Sequence, residues 1–298
     1  MNKNKEFPKK KVAIIAGNGS LPLFVAEELT RLNSNFIIVC FDKTNQLHFI
    51  NNLSIKPELI FPADLSNITN ILSILKEHKI QQVVCCGGVK FKSLENLHLL
   101  SFRSIIRNLK LIKYMVRAYL SKQKGDNFLL TLVEKILSKI GCQVVPVQEI
   151  LPNLLCCKDD EINIKLATKY QQSIDFGVNI LDTLAEYDIG QSIVVHNGRV
   201  LGIEGYEGTQ ELIKRCSKYY QEINKKSQSN DIKPILIKKS KIGQNRKLDI
   251  PTIGEQTILD LISGNFAGLV IEDNGVFILD REKIFELCKK YKLFLMIK

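Results

Sequence analysis

The sequence predicts an α/β protein with a parallel sheet in its N-terminal half and a mixed α/β arrangement in its C-terminal half. Between residues 11 and 147, short apolar runs alternate with segments of helical spacing. This order is typical of a parallel sheet with helices on both faces. Beyond residue 190, two Asn-Gly pairs stand between β-branched runs and predict hairpins. The pattern breaks at 148–170, so we expect two domains, 1–152 and 153–298.

The predicted strands of the N-terminal half are runs of Val, Ile and Cys, which are typical of strands buried on both faces of a sheet. Pro22 favours a helix start just after the first strand, because the first helical turn does not need its missing N–H. Apolar residues at helical spacing indicate the later helices. The predicted elements are strand 11–16, helix 22–33, strand 36–41, helix 67–78, strand 82–88, helix 126–140 and strand 142–147.

The C-terminal half mixes helices with strands that are joined by tight turns. The strongest local signal is Asn197-Gly198 between two β-branched runs, which predicts a hairpin. A second hairpin is predicted at Asn274-Gly275. The predicted elements are helix 171–186, hairpin 192–205, helix 208–220, strand 234–239, a short strand around 249, helix 255–264, strands 267–273 and 276–280, helix 281–291 and strand 293–297.

Composition and charge narrow the possible functions. Hydrophobic residues make up 45% of the 298 residues, which is enough for a core and excludes wholesale disorder. No apolar run approaches the ~20 residues of a membrane-spanning helix, and we expect a cytoplasmic protein. The net charge of +11 favours an anionic partner, which is nucleic acid, an acidic membrane surface or a phosphorylated substrate. Aromatic residues make up only 7% and no aromatic RNA-binding motif is present, so we expect no nucleic-acid partner.

Several common catalytic and metal motifs are missing. The eight cysteines form no C-x-x-C pair and the four histidines are scattered, so the sequence predicts buried thiols rather than a zinc site. There is no G-x-S-x-G elbow, no H-E-x-x-H and no Asp/His array of a two-metal phosphoesterase. The candidate chemistry therefore rests on glycine loops and isolated acids.

Two glycine loops follow predicted strands, at the edge where parallel sheets carry their functional loops. The first is Gly17-Asn18-Gly19 and the second is Gly87-Gly88, with Lys90 close behind. Backbone N–H groups in such loops bind phosphate, and Lys90 adds a cation. The alternative is a tight turn that packs a helix against a strand, with Lys90 in solvent. The residues leave both interpretations open.

A basic segment, 96–125, contains seven Lys and Arg residues and no acid, with apolar residues at helical spacing. Such a helix docks on an anionic membrane surface or near a lipid. A core helix with a solvated basic face produces the same pattern and is the favoured alternative. Asp126 follows directly, where it either caps the next helix or positions a metal or a sugar hydroxyl.

Two acidic motifs lie in the C-terminal half. The turn from Glu204 to Thr209 places two carboxylates, Glu204 and Glu207, before a helix start, which suits a phosphate or Mg²⁺ site or a simple capped turn. Asp249 stands between apolar residues just before Ile250-Pro251, where the backbone is held extended. A rigid carboxylate suits a metal ligand or a general base, and the alternative is a cap or turn former.

Distinctive segments extend along nearly the whole chain. They are IAGNGSLP (15–22), CGGVKF (86–91), KGDNFLL (124–130), the stretch 186–213 with its Glu-Gly-Thr turn, KLDIPTIGEQTI (247–258) and the closing GLVIED…VFILDREKI and LFLMI. Together they resemble the UDP-2,3-diacylglucosamine pyrophosphatases of lipid A synthesis, the LpxI family. The Glu-Gly-Thr turn and the Asp-x-Pro-Thr-Ile-Gly segment are the specific parts of this resemblance.

The resemblance implies a Rossmann-like N-terminal domain and a C-terminal α/β catalytic domain, with the substrate between them. It implies Mg²⁺-dependent hydrolysis of the pyrophosphate bond of UDP-2,3-diacylglucosamine to UMP and 2,3-diacylglucosamine 1-phosphate (lipid X). It also implies a homodimer, and we hypothesise contact with the cytoplasmic face of the inner membrane through the basic segment. The resemblance carries the key aspartate of the family onto Asp249 and its Glu-Gly-Thr turn onto Glu207, Gly208 and Thr209. We predict Asp249, Glu207 and Thr209 as catalytic residues and Asp249 and Glu204 as metal ligands. The predicted substrate-binding residues are Gly17, Asn18, Gly19, Gly87, Gly88, Lys90, Asp126, Gly208, Gln210 and Thr252.

Two departures from the family pattern bear on activity. Gln210 stands where relatives usually have aspartate, and Asn127 follows Asp126 where many relatives have a second aspartate. Neither change removes Asp249, so the enzyme remains the first hypothesis. The alternative is a protein that binds lipid X or a nucleotide sugar and has lost turnover through Gln210.

Overall fold

The computed structural model describes residues 10–41, 43–64, 67–88, 126–187, 189–226, 232–241 and 245–298. The chain divides by its contacts into two compact units. Unit 1 consists of Met1–Pro152 together with Asn245–Asp249, and unit 2 consists of Asn153–Gln244 together with Ile250–Lys298. The chain therefore returns to unit 1 for five residues before it completes unit 2.

Unit 1 contains the expected parallel sheet, which confirms the fold class for this half. Its strands have the order β3-β2-β1-β4-β5, and all neighbouring pairs are parallel. The strands are β1 (Val12–Ala16), β2 (Phe36–Cys40), β3 (Ile60–Pro62), β4 (Gln82–Cys86) and β5 (Gln143–Val144). The helices are α1 (Leu21–Arg31), α2 (Lys43–Asn51), α3 (Ile68–Glu77), α4 (Asp126–Lys139) and α5 (Val147–Ile150).

The sequence did not predict α2 and β3, for a physical reason in each case. The buried residues of α2 are Asn45 and Phe49, so the helix lacks the apolar stripe that marks a helix in a sequence. Strand β3 has three residues and ends at Pro62, which cannot donate to a sheet. Strand β5 is also shorter than predicted, because Pro146 follows within two residues of its end.

Unit 2 contains a mixed sheet of order β12-β10-β8-β6-β7. Strands β12, β10 and β8 run parallel, whereas β6 is antiparallel to both β8 and β7. The sheet strands are β6 (Ser192–His196), β7 (Arg199–Ile203), β8 (Ile235–Lys238), β10 (Gly268–Ile271) and β12 (Phe294–Ile297). The helices are α6 (Gln171–Ala185), α7 (Thr209–Lys226), α8 (Glu255–Ser263) and α9 (Arg281–Lys290).

The first predicted hairpin is confirmed and the second is wrong. Asn197 and Gly198 both have positive φ, 49° and 71°, as the turn between β6 and β7 requires. After Asn274-Gly275, β11 (Phe277–Ile278) pairs instead with β9 (Thr252–Ile253), in parallel and in a separate two-stranded sheet. Strand β10 already has β8 on one side and β12 on the other, so it has no edge left for a hairpin partner.

Each unit has its own apolar core. In unit 1 the core joins the faces of β1, β2 and β4 to α3 and α4, and it includes Leu248 from the returning segment. In unit 2, α8 and α9 cover one side of the sheet and α6 packs on strands β6 and β8. Within the ranges given above, no helix is both long enough and apolar enough to cross a membrane.

Candidate active site

The two predicted glycine loops lie side by side. Strands β1 and β4 are parallel neighbours, so the loops that follow them meet at one edge of the sheet. Asn18 and Gly88 exchange two backbone hydrogen bonds, of 2.7 and 2.8 Å. A Cβ on Gly17 would lie 2.6 Å from the Gly88 oxygen, and a Cβ on Gly87 would lie 2.7 Å from the Asn18 oxygen. Gly17 and Gly87 are therefore glycines because two backbones approach closely, as the tight-turn interpretation requires.

The contact between Asn18 and Gly88 leaves other backbone N–H groups of the first loop open to bind an anion. Among the described residues, no hydrogen bond takes up the N–H groups of Gly19, Ser20 and Leu21, at the N-terminus of α1. These groups carry the positive end of the helix dipole. The side chain of Asn45 on α2 donates to the carbonyl oxygens of Gly17 and Gly19, at 2.9 Å each, and fixes this loop. Any phosphate binding at the loop would use these free N–H groups.

We expect Gly87→Ala to destabilise the protein by about 3 kcal/mol, because the new Cβ meets backbone and Gly87 has a φ of +87°. Gly88→Ala is the matched control, since a Cβ at Gly88 has no atom within 4 Å. Urea unfolding followed by circular dichroism measures both. A loss in Gly88→Ala as large as that in Gly87→Ala would contradict the close-approach argument.

Asp249 lies in unit 1, at the end of the returning segment Asn245–Asp249. The sequence predicted a short strand here, and that prediction is wrong. The Asn245 carbonyl accepts hydrogen bonds from the N–H groups of Leu248 and Asp249, at 2.9 and 3.0 Å, so the segment is a turn. Because the turn uses the Asp249 N–H, this residue cannot extend a sheet, and β9 begins only at Thr252.

The turn that carries Asp249 is fixed to α4 through Glu134. The two carboxylate oxygens of Glu134 accept one hydrogen bond each, from Asn245 Nδ2 and from Lys247 Nζ, both at 2.7 Å. The hydrogen bonds from Lys247 and then from Asn245 lower the pKa of Glu134, against a smaller opposing effect of desolvation. The hydrogen bond to Glu134 correspondingly raises the pKa of Lys247. Leu248, only 9% exposed, packs in the unit 1 core with Leu137 of α4.

Unit 2 contains a second polar cluster, built around Thr209 at the start of α7. The Thr209 hydroxyl donates to Glu204 Oε1 at 2.9 Å and accepts from Lys238 Nζ at 2.7 Å. Lys238 ends β8, is only 5% exposed and also approaches the buried hydroxyl of Ser192 at 3.4 Å. Glu204 Oε2 is buried and has no hydrogen-bond partner among the described residues. Two predicted residues, Glu204 and Thr209, therefore do lie together.

Glu207 has a different environment from Glu204. It pairs with Arg215 of α7, with Glu207 Oε1 2.9 Å from Arg215 Nη2. Desolvation tends to raise the pKa of Glu207, but hydrogen bonds from its own backbone and from Arg215 outweigh it and lower the pKa overall. Gly208 has a φ of +82°, as a turn into α7 needs, and Gln210 is exposed in the first turn of that helix.

The acids available for a metal ion are few. Among the described residues no group of three or more His, Cys, Asp or Glu side chains is arranged to hold a metal. Mg²⁺ commonly binds one or two carboxylates and takes its other ligands from substrate phosphates and water. The unpartnered oxygen of Glu204 fits that mode of binding.

The remaining predicted residues are placed as follows. Thr252 is half-buried in β9, and its hydroxyl donates to the Ile250 carbonyl at 3.2 Å. Asp126 is the first residue of α4, and its side chain lies outside the described residues. Lys90 and the basic segment 96–125 also lie outside them.

Sequence reasoning missed three residues that organise these clusters, Lys238, Asn45 and Glu134. Lys238 left a weak signal, since a lysine ends a strand that is otherwise apolar and buried. Asn45 and Glu134 left none, because their partners lie 26 to 113 residues away in the chain.

Comparison with known proteins defines the class to which this fold and these clusters belong. The family models of the LpxI N-terminal domain and the LpxI C-terminal domain match residues 11–154 and 162–296. The chain belongs to the LpxI family. A similar relative is the UDP-2,3-diacylglucosamine pyrophosphatase LpxI of Caulobacter vibrioides, 24% identical over 289 residues, which cover 96% of this chain and 97% of the relative.

Proposed function

We propose that this protein hydrolyses the pyrophosphate bond of UDP-2,3-diacylglucosamine to UMP and 2,3-diacylglucosamine 1-phosphate (lipid X) in lipid A biosynthesis, with Mg²⁺ as cofactor. The relative from Caulobacter vibrioides is named for a pyrophosphatase of this substrate and aligns over nearly the whole of both chains. The observation that carries the proposal here is the cluster of Glu204, Thr209 and Lys238, because it combines a cation with an unpartnered carboxylate oxygen.

Each cluster, taken by itself, has chemistry that suits a diphosphate substrate. The free N–H groups at the start of α1 suit non-bridging phosphate oxygens. Glu204 suits a Mg²⁺ ion held jointly with the substrate, and such an ion offsets the charge that develops on phosphate oxygens during hydrolysis. Asp249 is the proposed general base or a metal ligand. We extend the proposal to a homodimer that works in the cytoplasm at the inner membrane.

The first experiment follows UMP release from UDP-2,3-diacylglucosamine in detergent. We expect release with Mg²⁺ and none with excess EDTA, and we expect Mg²⁺ to restore it. Gln210→Asp is the companion variant, because the exposed Gln210 stands where relatives usually carry an acid. UMP release from Gln210→Asp that is as fast as from wild type, or faster, would support the enzyme hypothesis. Release from Gln210→Asp alone, with none from wild type, would favour the second candidate, a binding protein that has lost turnover.

A further inference from the structure

The segment Asn245–Asp249 belongs to unit 1, although the chain on either side of it belongs to unit 2. Several contacts hold it there. Leu248 is buried in the unit 1 core, the side chain of Gln148 donates to the Arg246 carbonyl at 3.1 Å, and Glu134 binds the side chains of Asn245 and Lys247. Of these contacts, the one with Glu134 reaches the Asp249 N–H through hydrogen bonds.

The path from Glu134 to Asp249 consists of two consecutive hydrogen bonds. Glu134 Oε2 accepts from the Asn245 side chain at 2.7 Å, and the Asn245 carbonyl accepts from the Asp249 N–H at 3.0 Å. The Asn245 side chain also accepts from the Lys247 N–H at 3.2 Å, so Asn245 organises the turn from within. A carboxylate that fixes Asn245 thus fixes the backbone from which the Asp249 side chain projects.

We propose that Glu134 is a positioning residue, which holds the turn Asn245–Asp249 on α4 and thereby sets the place of the Asp249 carboxylate. The proposal rests on the proposed function in so far as Asp249 acts on the substrate. It adds a residue from α4, far from Asp249 in the sequence, to the determinants of catalysis. Loss of the contact lowers kcat more than it changes KM, because the turn stays bound through Leu248 while its polar end loosens.

The test changes the charges of Glu134 and Lys247, first by a conservative substitution and then by charge reversal. Glu134→Gln keeps size and removes charge, Lys247→Glu places two carboxylates opposite each other, and Glu134→Lys with Lys247→Glu restores an opposite pair. The matched control is Glu149→Gln, an exposed acid in the wall of the same cavity of about 430 Å³ that Glu134 and Lys247 line. We expect each of the first two single changes to lower kcat about fivefold, the double reversal to stay as low, since a lysine ammonium cannot accept from the Asn245 side chain, and Glu149→Gln to change kcat less than about twofold.

Amide hydrogen exchange of Leu248 and Asp249 supplies a readout that does not need activity, since both N–H groups bond to Asn245. We expect faster exchange in Glu134→Gln, in Lys247→Glu and in the double reversal, and near wild-type exchange in Glu149→Gln. If wild type is active and Glu134→Gln has the kcat and the amide exchange of wild type, the positioning role of Glu134 is overturned and the proposed function stands. Inactive wild type overturns the proposed function, and exchange then still decides whether Glu134 holds the turn.

Discussion

Asp249→Asn should lower kcat for UMP release by about 10³-fold while the protein stays folded. General base catalysis by a positioned side chain contributes about 10²–10⁴-fold. Asparagine keeps the size of the side chain, and the Asp249 N–H can still donate to the Asn245 carbonyl, so the turn should survive. The change therefore removes a negative charge at a fixed place and keeps the turn that carries it.

The measurement compares kcat for wild type, Asp249→Asn and Asp159→Asn, with circular dichroism to check folding. Asp159 is exposed in unit 2 and serves as the control for loss of one carboxylate. Partial rescue of Asp249→Asn by higher Mg²⁺ would identify a metal ligand, whereas loss of the acidic limb of the pH profile would identify a base. A kcat within tenfold of wild type would remove Asp249 from both roles.

Local patterns predicted the parts of the fold that depend on local physics. Apolar runs gave β1, β2 and β4, because a strand buried on both faces needs such a run wherever it lies in the sheet. The hairpin at Asn197-Gly198 could be predicted because both turn residues tolerate positive φ. At Asn274-Gly275 the same dipeptide misled, since the decisive fact was that both edges of β10 are occupied. A local sequence pattern does not show whether strands from distant parts of the chain already pair with both edges of a given strand.

In the candidate site, too, features that depend on local physics could be predicted and features that depend on distant contacts could not. The pairing of the loops at Gly17 and Gly87 follows from one rule, that neighbouring parallel strands bring their following loops together. The turn at Asp249 could not be read from its sequence, because the contacts that hold it come from Glu134, more than a hundred residues earlier. Motifs located the acids, and the structure showed what surrounds Glu204 and Glu207.

Lys238 and Thr209 should act as one unit in catalysis. An ammonium group can only donate, so the Thr209 oxygen accepts from Lys238 and must direct its single proton to Glu204. Lys238→Met removes the donor, and Thr209→Val removes the hydroxyl through which it acts. We expect each change to lower kcat/KM by about 30-fold, since hydrogen bonds that involve a charged group contribute about 1.5–3 kcal/mol.

The decisive measurement is the double-mutant cycle. If Lys238 acts through Thr209, the double variant should be no less active than the less active of the two single variants. The second change would then remove a contact that the first has already broken. Thr209→Ser should recover much of the activity, since serine restores the hydroxyl. Lys239→Met is the matched control, because Lys239 follows Lys238 directly but pairs with Asp182, at 2.6 Å. Losses that multiply in the double variant, or an equal loss in Lys239→Met, would show that Lys238 contributes by burial or net charge and not through Thr209.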